Sequence, residues 1–193
     1  MKALREAILS CGKGIGSDIV KVDMFLNHRL DTRLIFDMGR ALADHFRREQ
    51  PDIVLTVEAS GIAIALTAAH NLGDIPVVFA KKSGAANQSA DMLTAVAHSF
   101  THGNDNTLRV DRRYLPAGSR VLIVDDFLAD GQASRALISI VEQAGCTLAG
   151  VGIGIEKGFQ PGGKRLRADG INLKSLAIVE KIENGKIVLA EEN

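Results

Sequence analysis

The sequence is poor in the residues that cross-link or metallate small proteins. It holds two cysteines, Cys11 and Cys146, among 193 residues. Their separation matches no zinc-ligand spacing, and the expectation is two free thiols in a reducing compartment. A His-Glu-x-x-His motif is also missing, although His98 and His102 stand four apart. His28, His45, His70, His98 and His102 form no recognised metal-ligand motif, which leaves them surface or structural roles. No serine sits in a Gly-x-Ser-x-Gly elbow and no cysteine in a reactive motif, so nucleophilic hydrolysis has no carrier. There is no excess charge of either sign: 23 Lys and Arg balance 23 Asp and Glu. No long-range field then draws the chain to nucleic acid or to an anionic membrane, although a local basic patch stays open. No uncharged apolar run approaches the roughly 18 residues of a membrane helix. Charges at Lys2, Arg5 and Glu6 interrupt any apolar core of a signal peptide. Cytoplasmic location is the expectation. Internal repeats and interdomain linkers are absent too.

What is present is an ordinary globular composition, 46% hydrophobic and 24% charged, on a length that suits one domain with a full core. The chain is organised around one stretch. Val121, Leu122, Ile123 and Val124 are four aliphatic residues in a row, as expected of a central strand covered on both faces. Asp125 and Asp126 stand where that strand is expected to end. A short turn containing Gly131 follows, and an apolar-periodic run from Ala136 to Ala144 reads as a helix. In open α/β sheets ligands bind outside the carboxyl ends of the strands. A turn entering a helix there presents free N–H groups suited to phosphate. Carboxylates beside such a cradle need partners of their own; ribose hydroxyls and a hydrated Mg²⁺ ion are the candidates.

The rest alternates between strand and helix. Ala3, Leu4, Ala7 and Ile8 predict a short amphipathic helix that the glycine cluster at 12–16 ends. Those glycines follow a helix and lack the Gly-x-Gly-x-x-Gly spacing, so a loop is expected, not a dinucleotide fold. Residues 17–28 read as an extended piece and a turn. Asp31 caps a helix to about residue 49, with Leu34, Ile35, Met38, Ala41, Leu42 and Phe46 as its buried stripe. A strand from Ile53 to Val57, a helix from Gly61 to Leu72 and a second short buried strand from Pro76 to Ala80 follow. Residues 81–108 are the least regular. The composition of 83–89, a strand from Met92 to Phe100 and a turn cluster at 102–106 fit a mobile hairpin of the kind that serves as an active-site lid. A strand from Thr147 to Glu156 carries Gly150, Gly152 and Gly154 on one face, which predicts close packing against a helix. Gly163 to Ala168 reads as a short helix whose Lys164, Arg165 and Arg167 form a solvated face. Asn184-Gly185 reads as a tight hairpin turn between two last strands. The fold class is α/β with a mainly parallel central sheet flanked by helices.

Asp125, Asp126, Phe127, Leu128, Ala129, Asp130, Gly131, Gln132 and Ala133 together resemble the signature of type I phosphoribosyltransferases, which bind 5-phosphoribosyl-1-pyrophosphate (PRPP). The variant is most similar to that of the bacterial xanthine phosphoribosyltransferases. The similarity extends to Lys21-Val22-Asp23, Phe25-Leu26-Asn27-His28, Glu58-Ala59-Ser60-Gly61 and the run from Ile155 to Gly162. The resemblance implies a flexible hairpin lid near 81–108 and a small hood from about 1–30 and 157–193. It implies that Asp125 and Asp126 act on the ribose hydroxyls or on Mg²⁺ waters. Ala129, Asp130, Gly131, Gln132, Ala133 and Ser134 would hold the 5′-phosphate, chiefly through backbone N–H groups. Asp130 departs from the Asn common there, and its charge beside a dianion is unfavourable unless it points away. Glu58, Ala59, Ser60 and Gly61 would cradle pyrophosphate through the main chain, in some members with an unusual peptide geometry. Lys81 and Lys82 are counter-charges to that group or a solvated strand end.

For the base, the resemblance points to Lys157, a cationic donor that suits the exocyclic oxygen of an oxopurine and opposes the amino group of adenine. Val20 and Asn27 match the segment that caps the base; Asn27 equally suits a local turn. Phe159 either stacks on the purine or packs. The implied activity is purine salvage: transfer of the phosphoribosyl group from PRPP to xanthine, with Mg²⁺ and no direct protein metal site, by a homodimer. Guanine or hypoxanthine as the base is the alternative. A PRPP-sensing regulator of nucleic acid is the other class, since purine repressors and some RNA-binding attenuators resemble this fold. Against it, only about 50 residues precede Ile53, without a helix-turn-helix, and no face gathers basic residues.

Overall fold

A computed structural model describes residues 1–82, 91–98 and 105–191 of the chain. The first helix, α1 (Lys2–Cys11), buries Leu4 and Ile8. β1 (Lys13–Ile15) and β2 (Ile19–Lys21) form a small antiparallel ribbon. Where an extended piece and a plain turn were expected, one π-helical turn at Asp23–Asn27 follows the ribbon and buries Phe25 and Leu26. α2 (Thr32–Phe46) starts at Asp31, whose carboxylate accepts the Leu34 N–H at 3.0 Å, a cap worth about 1 kcal/mol. β3 (Ile53–Val57), α3 (Gly61–Asn71) and β4 (Val77–Ala80) come next, then the hairpin strands β5 (Met92–His98) and β6 (Asp105–Asp111). The remainder runs β7 (Arg120–Leu128), α4 (Gln132–Gln143), β8 (Thr147–Lys157), α5 (Gly162–Ala168), β9 (Leu173–Glu183) and β10 (Lys186–Leu189).

The central sheet has the order β10-β9-β8-β7-β3-β4. Only β10 runs antiparallel to its neighbour; the other pairs are parallel. β7 lies between β3 and β8, and its aliphatic run divides by the two-residue period of a strand. Leu122 and Val124 join the core formed with α2 and α3, whereas Val121 and Ile123 join the core under α4 and the β5–β6 hairpin. That double burial explains four consecutive apolar residues.

The glycines of β8 bring α2 onto the sheet. A β-carbon on Gly150 would collide with the Phe46 ring; on Gly152 it would lie 3.1 Å from Leu42, and on Gly154 2.9 Å from Met38. Overfilling such a contact costs on the order of 1–3 kcal/mol. The packing expected for this stripe is therefore observed, and its partner is α2.

Besides the π-helical turn, and β1 within the glycine cluster expected as a loop, three elements differ from expectation. β4 is the edge of the sheet, and its Val77, Val78 and Phe79 stay partly or fully exposed. β7 continues past the carboxylates to Leu128, because Phe127 and Leu128 still pair with Ile155 and Glu156 of β8. α4 starts at Gln132, four residues early, because the turn around Gly131 leads straight into it. The expected hairpin is present in β5 and β6. Lys81 and Arg109 exchange backbone hydrogen bonds of 2.9 Å at its base, and Gln143 of α4 donates to the Thr94 carbonyl at 3.0 Å. Residues 83–89 and most of the expected turn at 102–106 lie outside the described residues. Among the described residues no helix is long and apolar enough to cross a membrane.

Candidate active site

A cavity of about 550 Å³ opens where β3, β7 and β8 end and α3 and α4 begin. Parallel strands place the following turns on one side of the sheet, so three loops far apart in sequence converge there. Glu58, Ala59, Ser60 and Lys82 line one wall; Asp125 and Asp126 form the floor. Ala129, Asp130, Gln132 and Ala133 line the second wall, and Lys157 and Gln160 the third. Ala97, Asn106 and Leu108 of the β5–β6 hairpin also line it. Ala97, Asn106 and Leu108 belong to the hairpin expected as a lid without being singled out, and Gln160 lies in the run from Ile155 to Gly162 without an expected role.

Asp125 is buried and Asp126 half-exposed. Oδ1 of Asp125 accepts the Asp126 N–H at 2.9 Å. Burial, with the Asp126 charge next to it, pushes the Asp125 carboxyl well above the usual carboxylate range. Gly61 makes room for this carboxyl: a β-carbon there would lie 2.7 Å from Asp125 Oδ1 and collide with Thr56 Oγ1. The Thr56 hydroxyl is buried and has no hydrogen-bond partner among the described residues. Gly61 thus lies behind the cavity wall, not on it.

The turn from Ala129 to Ser134 is shaped by Gly131, whose φ of 90° is easy only for glycine. Gly162 of α5 packs against it. Its N–H donates to the Ala129 carbonyl at 3.1 Å, and a β-carbon on it would lie 2.7 Å from the Gly131 nitrogen and collide with the Ala129 oxygen. Ser134 is buried in the first turn of α4. Asp130 does not point away from the turn: its Oδ1 accepts the Gln132 N–H at 3.1 Å.

In the opposite loop the Glu58–Ala59 peptide bond is cis. The Glu58 carboxylate accepts the Lys82 N–H at 2.6 Å and so ties the loop to the end of β4. Lys82 lines the cavity; Lys81 is exposed and bridges through its backbone to Arg109.

Lys157 is half-buried at the end of β8. Its Nζ donates to the Asp18 carbonyl at 2.8 Å and lies 6.0 Å from the centre of the Phe127 ring. Burial lowers the tendency of this ammonium to stay protonated, while the charges of Asp18 and Asp130 oppose that. Val20, Asn27 and Phe159 do not line the cavity. Val20 is buried in the α2-side core, Asn27 is exposed at the end of the π-helical turn, and Phe159 packs against the same core. The solvated basic face expected at 164–167 needs correction at Arg167. Its guanidinium makes two bonds, 2.8 and 2.7 Å, to the buried Glu156 carboxylate, which also accepts from Ser175 at 2.5 Å. A carboxylate inside the protein needs such partners, and the first residues of α5 put Arg167 within reach.

The cavity thus sets an acidic pair between the loops that lead into α3 and α4. Residues 28–167 match the family model described as "Phosphoribosyl transferase domain". The chain belongs to the phosphoribosyltransferase family. It is 50% identical to a phosphoribosyltransferase of Heliobacterium modesticaldum over 98% of this chain and the whole of that one. It is 46% identical to one of Ruminiclostridium cellulolyticum over 99% of this chain and the whole of that one. Both relatives are named xanthine phosphoribosyltransferase. Among solved structures, the adenine phosphoribosyltransferase of Rhodothermus marinus superposes with a TM-score of 0.73, covering 93% of this chain and 100% of that one at 24% identity. That likeness shows the phosphoribosyltransferase fold.

Proposed function

We propose that this enzyme transfers the 5-phosphoribosyl group of PRPP to N9 of xanthine, giving xanthosine 5′-monophosphate and pyrophosphate. The observation that supports the reading is the one cavity that Asp125 and Asp126 share with Glu58, Ala59 and Ser60 on one side and Ala129, Asp130, Gln132 and Ala133 on the other. The 5′-phosphate occupies the turn of Ala129 to Ser134. Pyrophosphate occupies the loop of Glu58 to Gly61 with Lys82 as counter-charge, and Lys81 acts from further out. As the bond to pyrophosphate lengthens, positive charge grows on the ribose. Asp126 faces it from the cavity, Asp125 from the floor, and fixed groups of this kind stabilise charge without rearranging. The β5–β6 hairpin serves as the lid that excludes water.

Lys157 donates to an exocyclic oxygen of the base. The chain ends form the hood, with Val20 and Asn27 on the segment whose Asp18 carbonyl already meets Lys157. Phe159 supports this wall by packing. Among the described residues no three His, Cys, Asp or Glu side chains converge on one point. Asp125 and Asp126 would meet Mg²⁺ through its bound waters, with substrate oxygens as its direct ligands, since this ion keeps several waters. The ion, when bound, neutralises charge developing on pyrophosphate. The enzyme acts in the cytoplasm as a homodimer; exposed Leu30 just before α2, Phe36 on α2 and Leu66 on α3 supply apolar surface for the partner.

The test is a phosphoribosylation assay with PRPP, Mg²⁺ and each of xanthine, guanine, hypoxanthine and adenine. Xanthine is expected to react fastest. Faster reaction of guanine or hypoxanthine moves the assignment to that base, because Lys157 suits any oxopurine; no nucleotide from any base overturns it. Lys157→Ala should raise the KM for the oxopurine about tenfold, as the loss of one charged hydrogen bond implies, and leave that for PRPP within about twofold.

A further inference from the structure

The turn assigned above to the 5′-phosphate already holds an anion of its own. Asp130 lines the cavity together with Gln132 and Ala133. Its carboxylate accepts the N–H of Gln132, the first residue of α4, at 3.1 Å. That donor belongs to the set of free N–H groups that makes a helix start attractive to phosphate. Ala133 and Ser134 follow it in the first turn and carry no acidic group, so the other donors face no such competitor. A phosphate dianion approaching this turn therefore meets both a donor in use and a like charge. The cations lining the cavity among the described residues are Lys82 and Lys157, both on other walls, and Asp130 acts electrostatically on the Lys157 ammonium.

We infer that Asp130 sets the affinity of the phosphate site from within: its carboxylate occupies the Gln132 N–H in the empty enzyme and is displaced by the phosphate monoester. The inference rests on the assignment of this turn under the proposed function. Its consequence is weaker holding of every ligand that carries a 5′-phosphate, substrate and product alike, and so faster release of the nucleotide. A plain helix-capping role predicts the opposite sign, because removing a useful cap loosens the turn and weakens whatever it binds.

Two variants of the full chain separate these accounts. Asp130→Asn keeps an oxygen able to accept from Gln132 but removes the charge; Asp130→Ser keeps a short acceptor and guards against misfolding of the first variant. Titration calorimetry with ribose 5-phosphate as the probe should show binding at least about fivefold tighter in both than in the unaltered enzyme. Pyrophosphate, bound by the other loop, should change by less than about twofold. In turnover the KM for PRPP should fall in parallel. Equal or weaker binding of ribose 5-phosphate by a folded variant overturns the inference while the turn keeps its assignment. Binding by neither the variants nor the unaltered enzyme removes the phosphate site itself, and the inference with it.

Discussion

Gly61 and Asp125 meet across the carboxyl end of the sheet, the glycine giving up a side chain so that the acid can be buried. A β-carbon on Gly61 would stand 2.7 Å from Asp125 Oδ1 and inside the radius of Thr56 Oγ1. Both neighbours belong to strands of the central sheet, so neither can withdraw freely. Gly61→Ala is expected to lower kcat/KM by about a hundredfold while costing about 1–3 kcal/mol of stability. Steady-state kinetics beside a melting curve checks this; full activity would separate the Asp125 position from catalysis.

The buried acid also leaves a signature in stability. The unfolded chain releases the Asp125 proton at about the ordinary value of 3.8, whereas burial and the Asp126 charge hold the folded value well above it. This group therefore favours the native state fully below about pH 3.8, and that contribution is lost as pH rises through the folded-state value. Asp125→Asn is neutral at every pH and can still accept the Asp126 N–H. It should melt higher than the unaltered protein at pH 7, with the gap closing toward about pH 3.5. Turnover should drop by more than about tenfold, and further with Asp126→Asn added. Melting curves across that pH range give the sign directly.

Much of this site was legible because its chemistry is local. The strand, the acidic pair and the small-residue turn follow one another within 121–134, and the two-residue period alone says that both faces of the strand are covered. The glycine stripe of β8 announced a close neighbour without naming α2. What could not be read depends on contacts between distant segments. Four apolar residues look alike at a sheet edge and at its centre, so β4 read as buried. Arg167 is one of three basic residues in a short helix, and nothing near it in sequence points to Glu156. Phe159 suited stacking and packing equally, and the fold uses it for packing.

Glu156 and Arg167 carry a prediction of opposite sign to that of Asp125. Burial raises the Glu156 carboxyl, but the hydrogen bonds from Arg167 and Ser175 outweigh it and hold the group below its ordinary 4.5. The stabilisation is present above about pH 4.5 and is lost as pH falls through the lower folded-state value. Glu156→Gln should destabilise the protein at pH 7 by about 1–3 kcal/mol. In denaturant titrations the difference should narrow below about pH 4.5. A gap that does not change with pH would mean that shape, not charge, is what the variant loses.

Gly162 tests how far the phosphate turn depends on a residue that never touches the cavity. α5 lies beside the turn, with the Gly162 N–H on the Ala129 carbonyl and the glycine's open face against the Gly131 nitrogen. Gly163 is equally tight against Glu156 and the Arg167 Nη1. The segment from Glu156 to Arg167 is thus pinned at both ends, and a methyl on Gly162 has only the turn to displace. Backbone cannot rotate out of the way as a long side chain does, so the shift falls on the N–H groups of Asp130 and Gly131. Gly162→Ala should weaken binding of ribose 5-phosphate at least about tenfold, since a misplacement of about 1 Å at a positioned group is costly. Lys157 and the loop at 58–61 lie on other walls, so binding of the free base and of pyrophosphate should change little. Uniform weakening of all three ligands would show that α5 supports the whole cavity and not this turn.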